Sequence, residues 1–419
     1  MVDQPIPMKH FTYIFAAAFL LLMGPFSATA SSLDSLKQHN KRNFHLRFKY
    51  QAGAVLLTND FLKGNLGDNK EYADLPATDY YQSFAIEFGK QTFGEHDWEH
   101  AYNFPKYGIG FYTAHFFDVN NAEVSSLLGQ PSAIYGYFEG PFKRWNRFSF
   151  GYRIGFGLTY NWNPYHPADN PFQIAIGSSK TVYIEAALKV DYELTDRWEL
   201  SAGAGFTHFS NGASSTPNYG INLMAPYLAV QYNFNNNLRR DLVRKQLDPI
   251  EKKKELNIGL SFTSKQIDFD TDKVGEENRY ANIDYLAVNL TAYYMKRISQ
   301  KSKFGAGLDL NYDESINAQV DFNEGGELEK VESLHNGDKV SLGGYAAYEL
   351  VLDRLSILIN AGAYILRKDD YSGVKPIMYQ RIGLKYNVYN DITAGIYVRA
   401  YHFSVADFLE WQIGYRFGQ

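Results

Sequence analysis

The chain has 419 residues, no cysteine and a formal net charge of −5, with 33 Tyr, 30 Phe and 34 Gly. The missing cysteine excludes disulfides and thiolate-bound metal, and a small negative charge without a basic cluster argues against nucleic acid as a partner. An aromatic content of 16%, joined to alternating apolar patterns, suits a membrane β-barrel with aromatic girdles better than a soluble enzyme.

The N-terminus reads as a secretory signal. Lys9 and His10 form a polar start, Phe11 to Met23 is an apolar run, and Ala28-Thr29-Ala30 is a small-x-small cleavage site. The run is too short for a spanning helix, and no later stretch reaches about 18 apolar residues. Export without a membrane helix points to the outer membrane of a Gram-negative cell. Residues 1–30 are thus expected to be removed.

Eight strands follow, at 44–57, 80–92, 106–118, 132–143, 147–161, 181–194, 197–210 and 221–234. In the fifth, Phe148, Phe150, Tyr152, Ile154, Phe156, Leu158 and Tyr160 alternate with small or polar residues. A strand sends successive side chains to opposite faces, so one face suits lipid and the other a polar interior. Arg147, Arg153, Glu185, Lys189 and Asp191 are expected inside. Short connections alternate with long ones, as in barrels with tight periplasmic turns and longer external loops. The exception is the long periplasmic segment 93–105.

The charged stretch 235–253 breaks the pattern and is the expected linker. A second set of strands is read at 254–268, 282–297, 303–316, 339–352, 355–366, 376–389, 391–403 and 406–417. Both halves end a seventh strand in His-Phe-Ser and close an eighth on an aromatic (QYNF, GYRF), which suggests a diverged duplication. An all-β fold of about sixteen antiparallel strands follows. Two closures fit it: tandem eight-stranded barrels or one wide barrel.

Function is expected in HFSNGASSTPNYGIN, residues 208–222. Trp198, Leu200, Ala202, Ala204 and Phe206 make the apolar face of the seventh strand, and His208 and Ser210 continue it. Polar groups on a lipid-facing wall are costly unless they act or lie at the water boundary. Along the eighth strand Phe234, Tyr232, Val230, Leu228, Pro226 and Met224 lead on the same count to Asn222. Ser210 then supplies a nucleophile, His208 a base, and Asn222 a group to orient the imidazole. Asn211 and the backbone of Gly212 are candidate oxyanion donors. A hydrolytic site on that wall suits an acyl-chain ester, and no cofactor is called for.

At these residues the chain resembles the lipid A deacylase (PagL) family, also labelled acyloxyacyl hydrolase, over about residues 44–234. The sharp part is HFSNG followed by PNYGIN. The resemblance implies an eight-stranded outer-membrane barrel that removes the ester-linked 3-position acyl chain of lipid A. It makes Ser210 the nucleophile, His208 the general base and Asn211 an oxyanion donor. The family acid is a Glu, and the matching position here is Asn222. An Asn orients a histidine but brings no full charge. The other reading is a non-catalytic porin-like or structural barrel in which the motif is a relic.

Weaker candidates complete the sequence reading. His402 and Ser404 repeat the motif on the outward count, with Asp407 also outward and Glu410 inward, as a decayed site. Glu95 to His100 sets His96 and His100 at i,i+4 beside carboxylates, a metal-like spacing in what reads as a solvated connection. The external loop 163–179 reads as an ordered surface loop, or as a cover for a substrate head group.

Overall fold

The computed structural model describes residues 44–64, 77–117, 125–235, 242, 245–316, 318–331, 336–367, 376–403 and 405–418. The segment read as a signal lies outside them. The chain divides into two units, each containing a closed antiparallel barrel of eight strands, and among the described residues no helix is long and apolar enough to cross a membrane.

The first barrel comprises β1 (Phe44–Leu56), β2 (Tyr80–Gln91), β3 (Lys106–Phe117), β4 (Gly129–Trp145), β5 (Phe148–Trp162), β6 (Thr181–Glu193), β7 (Trp198–Ser210) and β8 (Ile221–Asn233). It closes where β8 pairs back onto β1, with Leu46 opposite Tyr232 and Leu56 opposite Asn222. The alternation decides which side chains fill it. Ile109 and Leu228 stand on the outer wall, 63% and 66% exposed, while Arg47, Glu87, Arg153 and Glu185 are buried in the lumen.

Those lumenal charges neutralise one another. Arg153 Nε lies 2.8 Å from Glu185 Oε2, and its Nη2 and Nη1 lie 2.6 and 2.7 Å from Glu87 and Glu139. Arg47 binds the same Glu87 and Glu139, and Lys189 reaches Glu139 at 2.5 Å and Asp191 at 3.1 Å. Buried charge persists only when paired and hydrogen-bonded, as here. Arg147 departs from expectation. It lies in the β4–β5 turn and is exposed, because β4 runs on to Trp145 and Asn146, at φ +43°, begins the reversal.

The second barrel comprises β9 (Lys254–Lys265), β10 (Tyr285–Arg297), β11 (Ser302–Asp313), β14 (Val340–Leu352), β15 (Leu355–Leu366), β16 (Met378–Tyr389), β17 (Ile392–Tyr401) and β18 (Val405–Phe417). It closes by pairing β18 with β9. Of the two closures open to the sequence, the tandem one is therefore formed. A small hairpin, β12 (Gln319–Phe322) with β13 (Leu328–Val331), lies in the β11–β14 connection, outside the strands that the alternation predicts.

The outward placement of Asp407 is overturned. Arg399 pairs with Phe408 but Ala400 with Ala406, so Asp407 is the extra residue of a β-bulge, where the alternation slips. Asp407 turns inward, its Oδ1 2.8 Å from Lys265 Nζ and its Oδ2 accepting from Tyr401 Oη–H at 2.9 Å. Glu410 also faces the lumen, accepting from Ser261 Oγ–H at 2.9 Å.

Candidate active site

His208 and Ser210 end β7, with Phe209 between them. Phe209 is fully buried in the lumen among Tyr183, Trp162 and Tyr112, at ring distances of 5.7, 5.2 and 6.2 Å. Burying that ring sends its two neighbours to the outer face. His208 is half-buried and Ser210 buried.

The register then supplies the partner. His208 lies directly opposite Asn222 on β8, and its Nδ1 is 2.7 Å from Asn222 Oδ1. An amide oxygen only accepts, so Nδ1 carries the proton and donates it. Nε2 is left with its lone pair, the tautomer a general base needs.

The loop from β7 to β8 is shaped by Asn218, Gly212 and Gly220. Asn218 Oδ1 accepts the Asn211 backbone N–H at 2.9 Å, tying the two ends of the loop. Gly212 follows Asn211 at φ +61°. Gly220 has φ +74°, and a Cβ there would stand 3.2 Å from His208 Cε1 and 3.8 Å from Ser210 Cβ. Both candidate side chains thus flank one point that only glycine leaves open. The signal for this was PNYGIN, whose Gly precedes Asn222 by two.

The loop 163–179 is ordered by its own side chains. Asn170 Nδ2–H groups donate to the carbonyls of Leu127, Asn163 and Pro164 at 3.0 to 3.2 Å. Gly220 N–H donates to Ala175 O at 2.9 Å, so this loop also braces the strand entry beside His208.

The other candidates do not assemble. His402 lies beyond the end of β17 in a turn at φ +50°, off the wall on which the even count had put it, and Ser404 lies outside the described residues. The segment 93–105 is a solvated connection only in part, at the exposed Glu95, His96 and Asp97. It forms a short helix, Asp97–Ala101, with Glu99, His100, Tyr102 and Phe104 buried. His100 is spoken for: Nε2 meets Gly94 O at 3.0 Å and Nδ1 accepts Lys245 N–H at 3.3 Å. The His96–His100 pair is therefore no metal clamp. Glu95, His96 and Glu99 instead bring ligand-type atoms within 4.8 Å of one another. Glu99 there accepts the N–H groups of Gly94 and Glu95 at 2.7 and 2.9 Å, bracing the entry to the helix.

Two family models match the chain. Residues 82–231 match lipid A 3-O-deacylase (PagL), and residues 254–419 match the acyloxyacyl hydrolase C-terminal domain. Curated proteins gave no match. Among solved structures the chain is similar to the siderophore receptor PirA from Acinetobacter baumannii, at 12% identity over 86% of this chain and 56% of that one, with a TM-score of 0.24. It is similar also to a mutant porin of Rh. blastica, at 9% identity over 89% of this chain and 99% of that one, with a TM-score of 0.16. The chain spans little more than half the length of the PirA receptor.

Proposed function

Because the chain belongs to the lipid A 3-O-deacylase (PagL) family of ester hydrolases, we propose that it is an outer-membrane serine esterase acting on lipid A or a related envelope lipid. The observation that carries the reading is the His208 Nδ1–Asn222 Oδ1 bond, because it leaves Nε2 basic on the face that Ser210 shares. In this reading Nε2 takes the Ser210 hydroxyl proton as Oγ attacks the ester carbonyl of an acyl chain. The side chain of Asn211 and the backbone N–H of Gly212 stabilise the oxyanion. The proton on Nε2 then passes to the leaving sugar oxygen, and water releases the fatty acid from Ser210 by the same relay.

The mature protein on this reading begins near Ser31. Residues 31–234 carry the site, 235–253 link, and 254–419 form a second β region that arose by duplication. Mass spectrometry of lipid A incubated with the refolded protein tests the assignment. The expected result is loss of one hydroxyacyl mass, absent with Ser210→Ala, while the variant keeps its heat-modifiable gel mobility. Full activity in the variant would sink the assignment.

A further inference from the structure

The β4–β5 hairpin reads PFKRWNRF, residues 141–148, and sets cations among aromatics without an acid. We propose, on the outer-membrane reading above, that Lys143 and Arg147 of this hairpin bind the phosphate of an anionic phospholipid, of the phosphatidylglycerol kind. The lipid would lie in the leaflet opposite the one that meets Ser210.

The register aims the side chains. Arg144 lies opposite Ser149, which is buried in the lumen. Its neighbours Lys143 and Trp145 therefore go to the outer wall, opposite Phe150 and Phe148. There the Lys143 ammonium lies 5.2 Å from the centre of the Trp145 ring. Phe142 is the extra residue where the register slips between Pro141 and Lys143, and its ring packs 5.4 Å from Phe150 and 5.1 Å from Tyr152. Phe142, Trp145 and Phe148 are all exposed. Aromatic rings beside a cation suit the boundary between lipid tails and head groups. Arg147 is exposed in the turn itself.

The hairpin stands about one membrane's depth from the candidate active site. Ser210 is opposite Val182, and Val182 is opposite Leu158. Phe148 is ten residues from Leu158 along β5. At about 3.3 Å per residue and a strand tilt of about 40°, ten residues descend about 25 Å, the height of the apolar band of such barrels. Lys143 starts two residues nearer the middle of that band, opposite Phe150, and its ammonium sits over Trp145, the residue opposite Phe148. A lysine stem that covers apolar surface while its charge reaches the head groups takes this course.

Both cations are open to a ligand. Among the described residues neither Lys143 nor Arg147 forms an ion pair, and the Lys143 ammonium meets a ring face. The neighbouring short turn differs: Arg197 directly follows Asp196, and its Nη1–H donates to Tyr232 Oη at 3.2 Å. Arg144 is also engaged, its guanidinium donating to the carbonyls of Asn103 and Phe104 at 2.6 and 3.0 Å. Those bonds, with Glu193 N–H donating to Arg147 O at 2.9 Å, hold the hairpin backbone, so little order has to be gained on binding. Two cations match one phosphodiester, and the exposed rings match its acyl chains. A free phosphate would use only the cations.

Native mass spectrometry of the full chain, released from detergent micelles, reads the site. With equal amounts of phosphatidylglycerol and phosphatidylcholine carrying the same chains, the anionic lipid should be retained about fivefold more. Lys143→Ala with Arg147→Ala should bring the ratio close to one, and Lys143→Arg should keep it. Lys63→Ala with Lys273→Ala removes the same charge elsewhere and should leave the ratio unchanged. A ratio near one in wild type overturns the proposal. So does a ratio that the hairpin variant leaves unchanged with normal heat-modifiable mobility, or an equal loss in the variant at Lys63 and Lys273. Excess glycerol phosphate should displace little of the bound lipid, and full displacement would make this a site for free phosphate and overturn the lipid assignment. Insertion into phosphatidylcholine vesicles, scored by flotation, is a separate result. Failure to insert would sink the membrane reading, while the ratio in micelles still reports on Lys143 and Arg147.

Discussion

Asn222 occupies the position where the resembling family carries a glutamate, and its chemistry sets what His208 can do. The 2.7 Å bond to Nδ1 holds the ring and its tautomer, which is the orienting part of the task of a triad acid. In the proposed mechanism it offers only a dipole to the imidazolium that would form as Ser210 loses its proton. Asn222→Leu should therefore lower kcat about a hundredfold with little change in KM, since orientation is lost. Asn222→Glu should raise kcat above wild type by adding charge stabilisation. Steady-state kinetics on one lipid substrate check both, and an unaltered kcat in Asn222→Leu would remove Asn222 from the mechanism. Gly220 matters at the same scale, because at its positive φ any side chain there would be strained and would press on the His208 ring and the Phe209 carbonyl.

At the scale of elements, the segment 93–105 shows how a polar sequence becomes a packed one. Arg144 Nη1–H and Nη2–H donate to the carbonyls of Asn103 and Phe104 at 2.6 and 3.0 Å, two residues held at positive φ. Tyr102 packs edge-on against Phe138, with ring centroids 5.4 Å apart. Burial pushes the Glu99 carboxyl above the usual carboxylate range, even though the Gly94 and Glu95 N–H groups favour its charged form. A raised value in the fold means that the native state holds this proton more tightly than the unfolded chain does. Its stabilising contribution is complete below the ordinary Glu value and is lost as pH rises through the Glu99 value. The melting midpoint of wild type should thus fall relative to Glu99→Gln across that window. Heat-modifiable mobility measured against pH reads the effect, and a constant difference between the two proteins would refute it.

For the whole molecule, the closure of each barrel at eight strands decides whether it can be a pore. Eight strands leave an interior that side chains can fill. In the first barrel Arg47, Glu87, Arg153 and Glu185 fill it together with Tyr81, Tyr112, Tyr135 and Tyr183, all fully buried or nearly so. In the second, Arg381, Arg399, Tyr379 and Tyr397 are equally buried, with Arg399 Nη2 3.2 Å from Asp309 and Arg381 Nη2 2.6 Å from Glu410. The protein should show no steady conductance in planar bilayers. Long-lived open channels would contradict filled lumens and would favour the porin-like alternative.

What the sequence determined by itself rests on period two. The alternation along each strand depends only on backbone geometry, so strand positions, the lipid-suited face and the placement of His208, Ser210 and Asn222 on one face could be counted from the residues alone. The HFSNG and PNYGIN motifs carried the family in the same local way. Tertiary structure decided what counting cannot reach. Which strand closes on which is a contact between ends of the chain far apart in sequence, so tandem barrels and a single wide one shared the same pattern. The bulge at Asp407 reverses the count by one residue, and nothing in VADFLEWQ marks where the extra residue falls. Burial of Glu99 and His100 likewise depends on their surroundings in the fold, among them Arg144 and Lys245. The crowding that makes Gly220 necessary appears only when two strands and a turn meet around one imidazole.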